Sequence, residues 1–186
     1  MTPSQAEFSV LRQTIATRGT ARMVLFPLTI LGWATLALVV LDFTEAPIAA
    51  LYPLALLVAG FEAIHALHVG VERIGRYLQV YYEIPGRDPQ WETTVMAVGP
   101  SLPGGGSDPL FSFVFICASF LNMIPALLPG PTRTELGVVG VLHLFFVVRV
   151  VRARGAAARQ RAIELETFRA IRSQNTPPPA PAGPEG

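Results

Sequence analysis

Four long runs of apolar residues constrain this chain more than any other feature of its sequence. The clearest run covers 23–41, contains no charged residue and ends immediately before Asp42. A helix that crosses a bilayer core of about 30 Å needs about 20 mostly apolar residues. The other runs lie at 47–69, 110–128 and 136–151. The sequence therefore predicts an all-α, integral membrane bundle of four transmembrane helices.

The overall composition supports a membrane protein and excludes several other classes. Hydrophobic residues make up 51% of the chain and charged residues only 15%, whereas a soluble domain carries about 25% charge. A net charge of +1 is too small for a general nucleic-acid binder, so we expect no nucleic-acid partner. The single cysteine, Cys117, excludes an intrachain disulfide framework and a cysteine-based metal site.

The arginines orient the predicted bundle. All 14 basic residues are arginine. When the four runs cross the membrane in alternating directions, all of these arginines except Arg133 lie on the same side. Positively charged residues are retained on the cytoplasmic side of a membrane. The pattern therefore predicts a multi-pass protein of the bacterial inner membrane with both termini in the cytoplasm.

The remaining segments complete the predicted organisation around a membrane domain at 23–155. Cytoplasmic parts are predicted from helical periodicity, charge and the positions of proline and glycine. They are an amphipathic helix at 1–22 that lies on the inner leaflet or packs on the bundle, an extension of the second helix to about 84, a loop at 85–109 in which 91–98 forms a short helix or a strand, a basic helix at 156–173 and a disordered proline-rich tail at 174–186.

Individual residues in the apolar runs carry further expectations. Pro27 should lie near the start of the first span, where its missing N–H costs least. We expect Arg149 to extend towards the lipid headgroups. Small residues should permit close helix packing; they are Ala55, Gly60, Gly137 and Gly140.

A stripe of polar residues interrupts the second apolar run. Its members are Glu62, His65, His68 and Glu72, separated by three, three and four residues. On a helix these steps keep the side chains within about one third of the circumference. Because ionisable groups are costly in a bilayer, the stripe should face protein or water. Its candidate partners on the later spans are Ser119, Asn122 and His143.

Three roles for the stripe remain open at this stage. Glu62, His65, His68 and His143 are candidate ligands for a metal, a haem or a chlorophyll-type pigment, although one Glu-x-x-His motif is too little for a di-iron centre. The same groups are components of proton or ion pathways. The third role is structural hydrogen bonding between helices, and under it we expect no cofactor.

No complete catalytic site is recognisable in the sequence. The sequence therefore predicts a non-catalytic accessory or structural subunit of a larger bacterial membrane complex. An energy-transducing complex is one candidate. Its expected partners are the lipid bilayer and other membrane proteins. Aromatic and arginine side chains are enriched at protein interfaces; the candidates are Arg73, Arg76, Tyr77, Tyr81, Tyr82 and Trp91. The alternatives are a small membrane protein that binds a haem, pigment or metal, and a protein that transports protons or ions.

Overall fold

The computed structural model describes residues 3–83, 90–98 and 110–175, and these residues contain helices and no strand. The all-helical prediction is confirmed. The elements are α1 (Pro3–Phe43), a 3₁₀ turn (Pro47–Ala50), α2 (Leu51–Tyr81), α3 (Trp91–Val98), α4 (Ser112–Leu121), α5 (Ile124–Leu127) and α6 (Arg133–Asn175). Of the two structures predicted for 91–98, the chain adopts the helix. The rest of the predicted loop and most of the proline-rich tail lie outside the described residues.

Three helices of the described chain are long and apolar enough to cross a membrane: Ser4–Phe43, Pro47–Tyr81 and Arg133–Ala156. The predicted span at 110–128 differs from them, because it is divided into α4 and α5. A proline ring clashes with the carbonyl four residues earlier in a helix. Pro125 therefore accounts for the end of α4 at Leu121.

The first and last helices continue far beyond their apolar runs. α1 has 41 residues and α6 has 43, so each is about 60 Å long. The predicted N-terminal and C-terminal cytoplasmic helices are thus continuous with the adjacent spans. Each junction contains one glycine, Gly19 or Gly155, and no proline, and a single glycine costs a helix only about 1 kcal/mol.

Pro27 lies in the interior of α1, and the expectation that it marks a helix start is wrong. Only the apolar stretch begins near Pro27, whereas the helix itself begins at Pro3. Helices in membranes tolerate such a proline when neighbouring groups satisfy the freed backbone carbonyl.

Two buried clusters hold α2, α4, α5 and α6 together at different heights. Leu54, Leu57, Phe61 and Ile64 recur on one face of α2 and enter the larger cluster, which also contains Leu110, Phe115, Ala118, Phe146, Val150 and Ala153. The smaller cluster consists of Ala50, Ala126 and Val139. The segment from Leu110 to Ala126 therefore runs from one cluster to the other, alongside α2 and α6.

Gly60 sets the close approach of α1 to α2. A Cβ atom at Gly60 would lie 2.1 Å from Cγ2 of Thr29, so the prediction for this glycine is confirmed. The same prediction is wrong for Gly137 and Gly140, which have nothing within 4 Å of a built Cβ, and for Ala55, which is exposed. Gly137 and Gly140 therefore permit no close helix contact, and Ala55 lines an open groove between α2 and α6.

Candidate functional site

The first polar cluster joins the stripe on α2 to α6. Nη2 of Arg149 donates a hydrogen bond of 2.8 Å to Oε2 of Glu62 and lies 3.4 Å from Nδ1 of His65. The guanidinium carbon also lies 5.9 Å from the ring centroid of Phe61. Arg149, for which the sequence suggested only a position towards the headgroups, thus pairs with Glu62 across the α2–α6 contact.

His68 has a different partner, which comes from α1. The side chain is buried, and Nη1 of Arg22 lies 3.0 Å from its Nδ1. A guanidinium group can only donate hydrogen bonds, so Nδ1 of His68 accepts and the ring proton resides on Nε2. Arg22 thereby ties the start of the apolar run in α1 to the stripe on α2.

A second polar cluster surrounds the fully buried Asn122 at the end of α4. Its Oδ1 accepts a bond of 3.1 Å from Nε1 of Trp33, and its Nδ2 donates to the carbonyl of Ala50 at 2.8 Å and to Nε2 of His143 at 3.0 Å. Nδ1 of His143 lies 2.8 Å from the carbonyl of Val139 and must donate to it. Both ring nitrogens of His143 are therefore engaged.

The partners that the sequence suggested for the stripe belong elsewhere. Asn122 and His143 bond to each other, and the buried hydroxyl of Ser119 has no hydrogen-bond partner among the described residues. On α6, Phe146 lies between His143 and Arg149, three residues from each. This spacing corresponds to about 4.5 Å along the helix axis in each direction.

Three mutually packed phenyl rings occupy this level of the bundle. The centroid of Phe61 is 5.3 Å from that of Phe115 and 6.0 Å from that of Phe146, and the last two are 6.4 Å apart. All three side chains are buried. Apolar side chains therefore separate the Glu62 cluster from the Asn122 cluster.

Beyond the apolar spans, α2 and α6 are joined by a network of charges. Arg76 is only 3% exposed and donates to both Glu72, at 2.9 Å, and Glu164. Arg161 pairs with Glu72 at 3.2 Å, and Arg73 with Glu164 at 3.2 Å. Burial raises the pKa of Glu164, but hydrogen bonds from a neighbouring glutamine, Arg76 and Arg73 outweigh it and hold this pKa below its ordinary value.

Most of the predicted interaction residues have partners within the chain. Arg73 and Arg76 take part in the charge network described above. Tyr77 donates to Oε1 of Glu7 at 2.9 Å and packs against Tyr81 and Phe168. Tyr82 packs against Phe8, with the ring centroids 5.4 Å apart. These side chains join α1, α2 and α6 outside the apolar spans.

The short helix α3 is held against α1 and α2 through its first turn. The Glu83 carboxylate accepts from the backbone N–H groups of Glu92 and Thr93, which are free at a helix start. Glu92 also pairs with Arg12 at 3.0 Å. Burial raises the pKa of Glu92, while the Arg12 charge partly lowers it.

An exposed apolar stripe runs along α3. Trp91, Val95 and Val98 are 60%, 38% and 41% exposed. Their spacing of four and three residues places them on one helix face. Trp91 is thus the predicted interaction residue that the structure leaves most open to a partner.

The structure does not assemble a metal site from the sequence candidates. Within 3–83, 90–98 and 110–175, no group of three His, Cys, Asp or Glu side chains could hold a metal ion. The residues that sequence reasoning missed are Arg22, Trp33, Arg161 and Glu164, because nothing local in the sequence indicates which helix each one meets. Comparisons with protein-family models, curated proteins and solved structures find no significant match.

Proposed function

We propose that this chain is a non-catalytic accessory subunit of a larger bacterial membrane complex. The observation that carries the proposal is the exposed apolar stripe on α3, which lies outside the apolar spans. Tryptophan is enriched among residues that dominate interface energies. The first turn of α3 is anchored by Glu83 and Arg12, so the stripe is presented on an ordered helix and binds with a smaller entropic cost.

We propose four membrane crossings, with both termini in the cytoplasm of a bacterial cell. Leu110 belongs to the larger buried cluster, together with Ile64 and Val150, and Ala126 belongs to the smaller cluster, together with Ala50 and Val139. The segment 110–126 thus contributes to both clusters, which supports a fourth crossing beside α2 and α6. The distribution of arginines supports the orientation.

The polar clusters support a structural role more than ligation or transport. His143 uses both nitrogens within the chain, and His68 accepts from Arg22. Polar groups in membranes commonly bond across helices in this way. A continuous proton pathway would have to cross the phenylalanine cluster, which offers no hydrogen-bonding group.

The test is purification of the full chain from its native host in a mild detergent. Native-gel sizing, mass-spectrometric identification of companions and the visible and near-infrared absorption spectrum are recorded together. The variant Trp91→Ala/Val95→Ala is compared with Ile163→Ala, which alters a similarly exposed residue on α6, 64% exposed.

We expect defined companions to copurify with the wild type and with Ile163→Ala. They should be lost from the α3 variant, because truncation of an interface tryptophan commonly costs about 2 kcal/mol or more. A small particle in all three preparations would contradict the proposal. A chromophore band that disappears in His65→Leu/His68→Leu would instead support the cofactor alternative.

A further inference from the structure

Two adjoining hollows follow the contact between α2 and α6. The first is an apolar groove of about 710 Å³, lined by Leu51, Leu54 and Val58 on one side and Leu142 and Phe145 on the other. The second is a polar pocket of about 380 Å³. Arg149 lines both hollows, so they meet at this side chain.

The groove has the dimensions of one bilayer leaflet. Its α2 wall extends from Leu51 to Glu62, which is about 17 Å along a helix. Half of a hydrocarbon core is about 15 Å thick. An acyl chain lying in the groove would therefore reach the level of Arg149 with its headgroup end.

The polar pocket carries positive charge that the chain does not fully neutralise. Its Arg76 is paired with two carboxylates. Arg149 is paired with Glu62 through Nη2, and its other guanidinium nitrogens have no ion pair in the described part of the chain. Arg152 also lines the pocket. It is exposed and has no ion pair with any acidic side chain in the described part of the chain.

These two arginines suit a phosphate group. Residues three apart on a helix are neighbours on its surface, so Arg149 and Arg152 can reach the same anion. A guanidinium group matches phosphate oxygens with two parallel donors. Basic pockets between membrane helices on the cytoplasmic side are a recognised setting for anionic headgroups.

We propose that the α2–α6 contact binds one anionic phospholipid from the adjacent leaflet. One acyl chain occupies the apolar groove, and the phosphate binds Arg149 and Arg152. The position of the apolar groove next to the pocket favours a lipid over a free anion, because a free anion would leave the groove unused. This inference does not depend on the partner proposed for α3.

The test is native mass spectrometry of the delipidated full chain, titrated with phosphatidylglycerol, phosphatidylcholine or inorganic phosphate. Arg149→Gln/Arg152→Gln should weaken binding of one phosphatidylglycerol about 30-fold. Arg154→Gln/Arg159→Gln removes the same charge from exposed positions of α6 outside the pocket and should leave binding unchanged. Arg152→Gln alone preserves the Glu62 pair, and it should weaken binding about fivefold even if the double variant fails to fold.

The apolar half of the proposal needs a variant of its own. Ala59 lines the groove, and Ala59→Trp should obstruct the acyl chain and weaken phosphatidylglycerol binding. Leu144→Trp is the control, because Leu144 is 62% exposed on α6 and does not line the groove.

Three results would overturn the proposal. The first is equal affinity for phosphatidylglycerol and phosphatidylcholine. The second is wild-type affinity in Arg152→Gln and in the double arginine variant. The third is binding of inorganic phosphate as tight as that of the lipid, together with no effect of Ala59→Trp, which would indicate a free-anion site.

Discussion

Replacement of Asn122, the residue that follows α4, by alanine should destabilise the bundle more than replacement of Ser119 by alanine. The substitution removes three hydrogen bonds, from Trp33 and to Ala50 and His143. Interhelical hydrogen bonds in membranes contribute about 0.6 kcal/mol on average and about 1.7 kcal/mol at most. The loss should therefore be about 2 kcal/mol, with an upper bound of about 5 kcal/mol.

The matched control is Ser119→Ala on α4. Ser119 is 1% exposed, and its hydroxyl has no hydrogen-bond partner among the described residues. Removal of an unsatisfied buried hydroxyl should be neutral or stabilising. The two variants thus end in the same residue at two buried positions and differ in the hydrogen bonds that they remove.

The measurement is equilibrium unfolding of each variant in bicelles, with helix content followed by circular dichroism. A double-mutant cycle between Asn122→Ala and Trp33→Phe isolates the indole hydrogen bond and should give a coupling of about 0.6 kcal/mol or more. If Asn122→Ala unfolds within about 0.5 kcal/mol of Ser119→Ala, the Asn122 cluster does not stabilise the bundle and the reasoning is refuted.

Two further predictions concern helix packing and the charge network. Gly60→Ala should cost about 1–3 kcal/mol because its Cβ would overlap Thr29. Gly137→Ala is the control, because a Cβ at Gly137 would meet no atom within 4 Å; equal unfolding free energies for the two variants would contradict this prediction. The lowered pKa of Glu164 means that its carboxylate stabilises the fold above the unfolded pKa of about 4.3, and that this stability is lost as the pH falls through the lower folded pKa. Glu164→Gln should therefore cost about 1–2 kcal/mol at pH 7. Amide hydrogen exchange, measured as a function of pH, should show a smaller loss of protection on acidification in this variant than in the wild type. The control Glu166→Gln, at an exposed position, should retain the wild-type pH profile. An unchanged profile in Glu164→Gln would show that this carboxylate does not contribute.

Local patterns predicted the helices well where the signal lies within one segment. Apolar length is enough to indicate a membrane helix, and in the structure Leu54, Leu57, Phe61 and Ile64, spaced three or four residues apart, are buried together. The period also grouped Glu62 with His65, which meet the same arginine. Helix continuity was harder to predict, because charge changes abruptly at the end of an apolar run while the backbone continues.

Only the tertiary structure decided which helices the polar side chains join. The sequence determined that α2 carries ionisable groups and that these need partners, since hydrocarbon cannot solvate them. It did not determine that Arg22 and Arg149 would meet the stripe, or that Trp33, Asn122 and His143 would form a separate cluster. Those pairings depend on the rotation and relative height of packed helices, which are set by contacts such as Gly60 against Thr29 between residues far apart in the chain. Periodicity within one helix contains no information about either quantity.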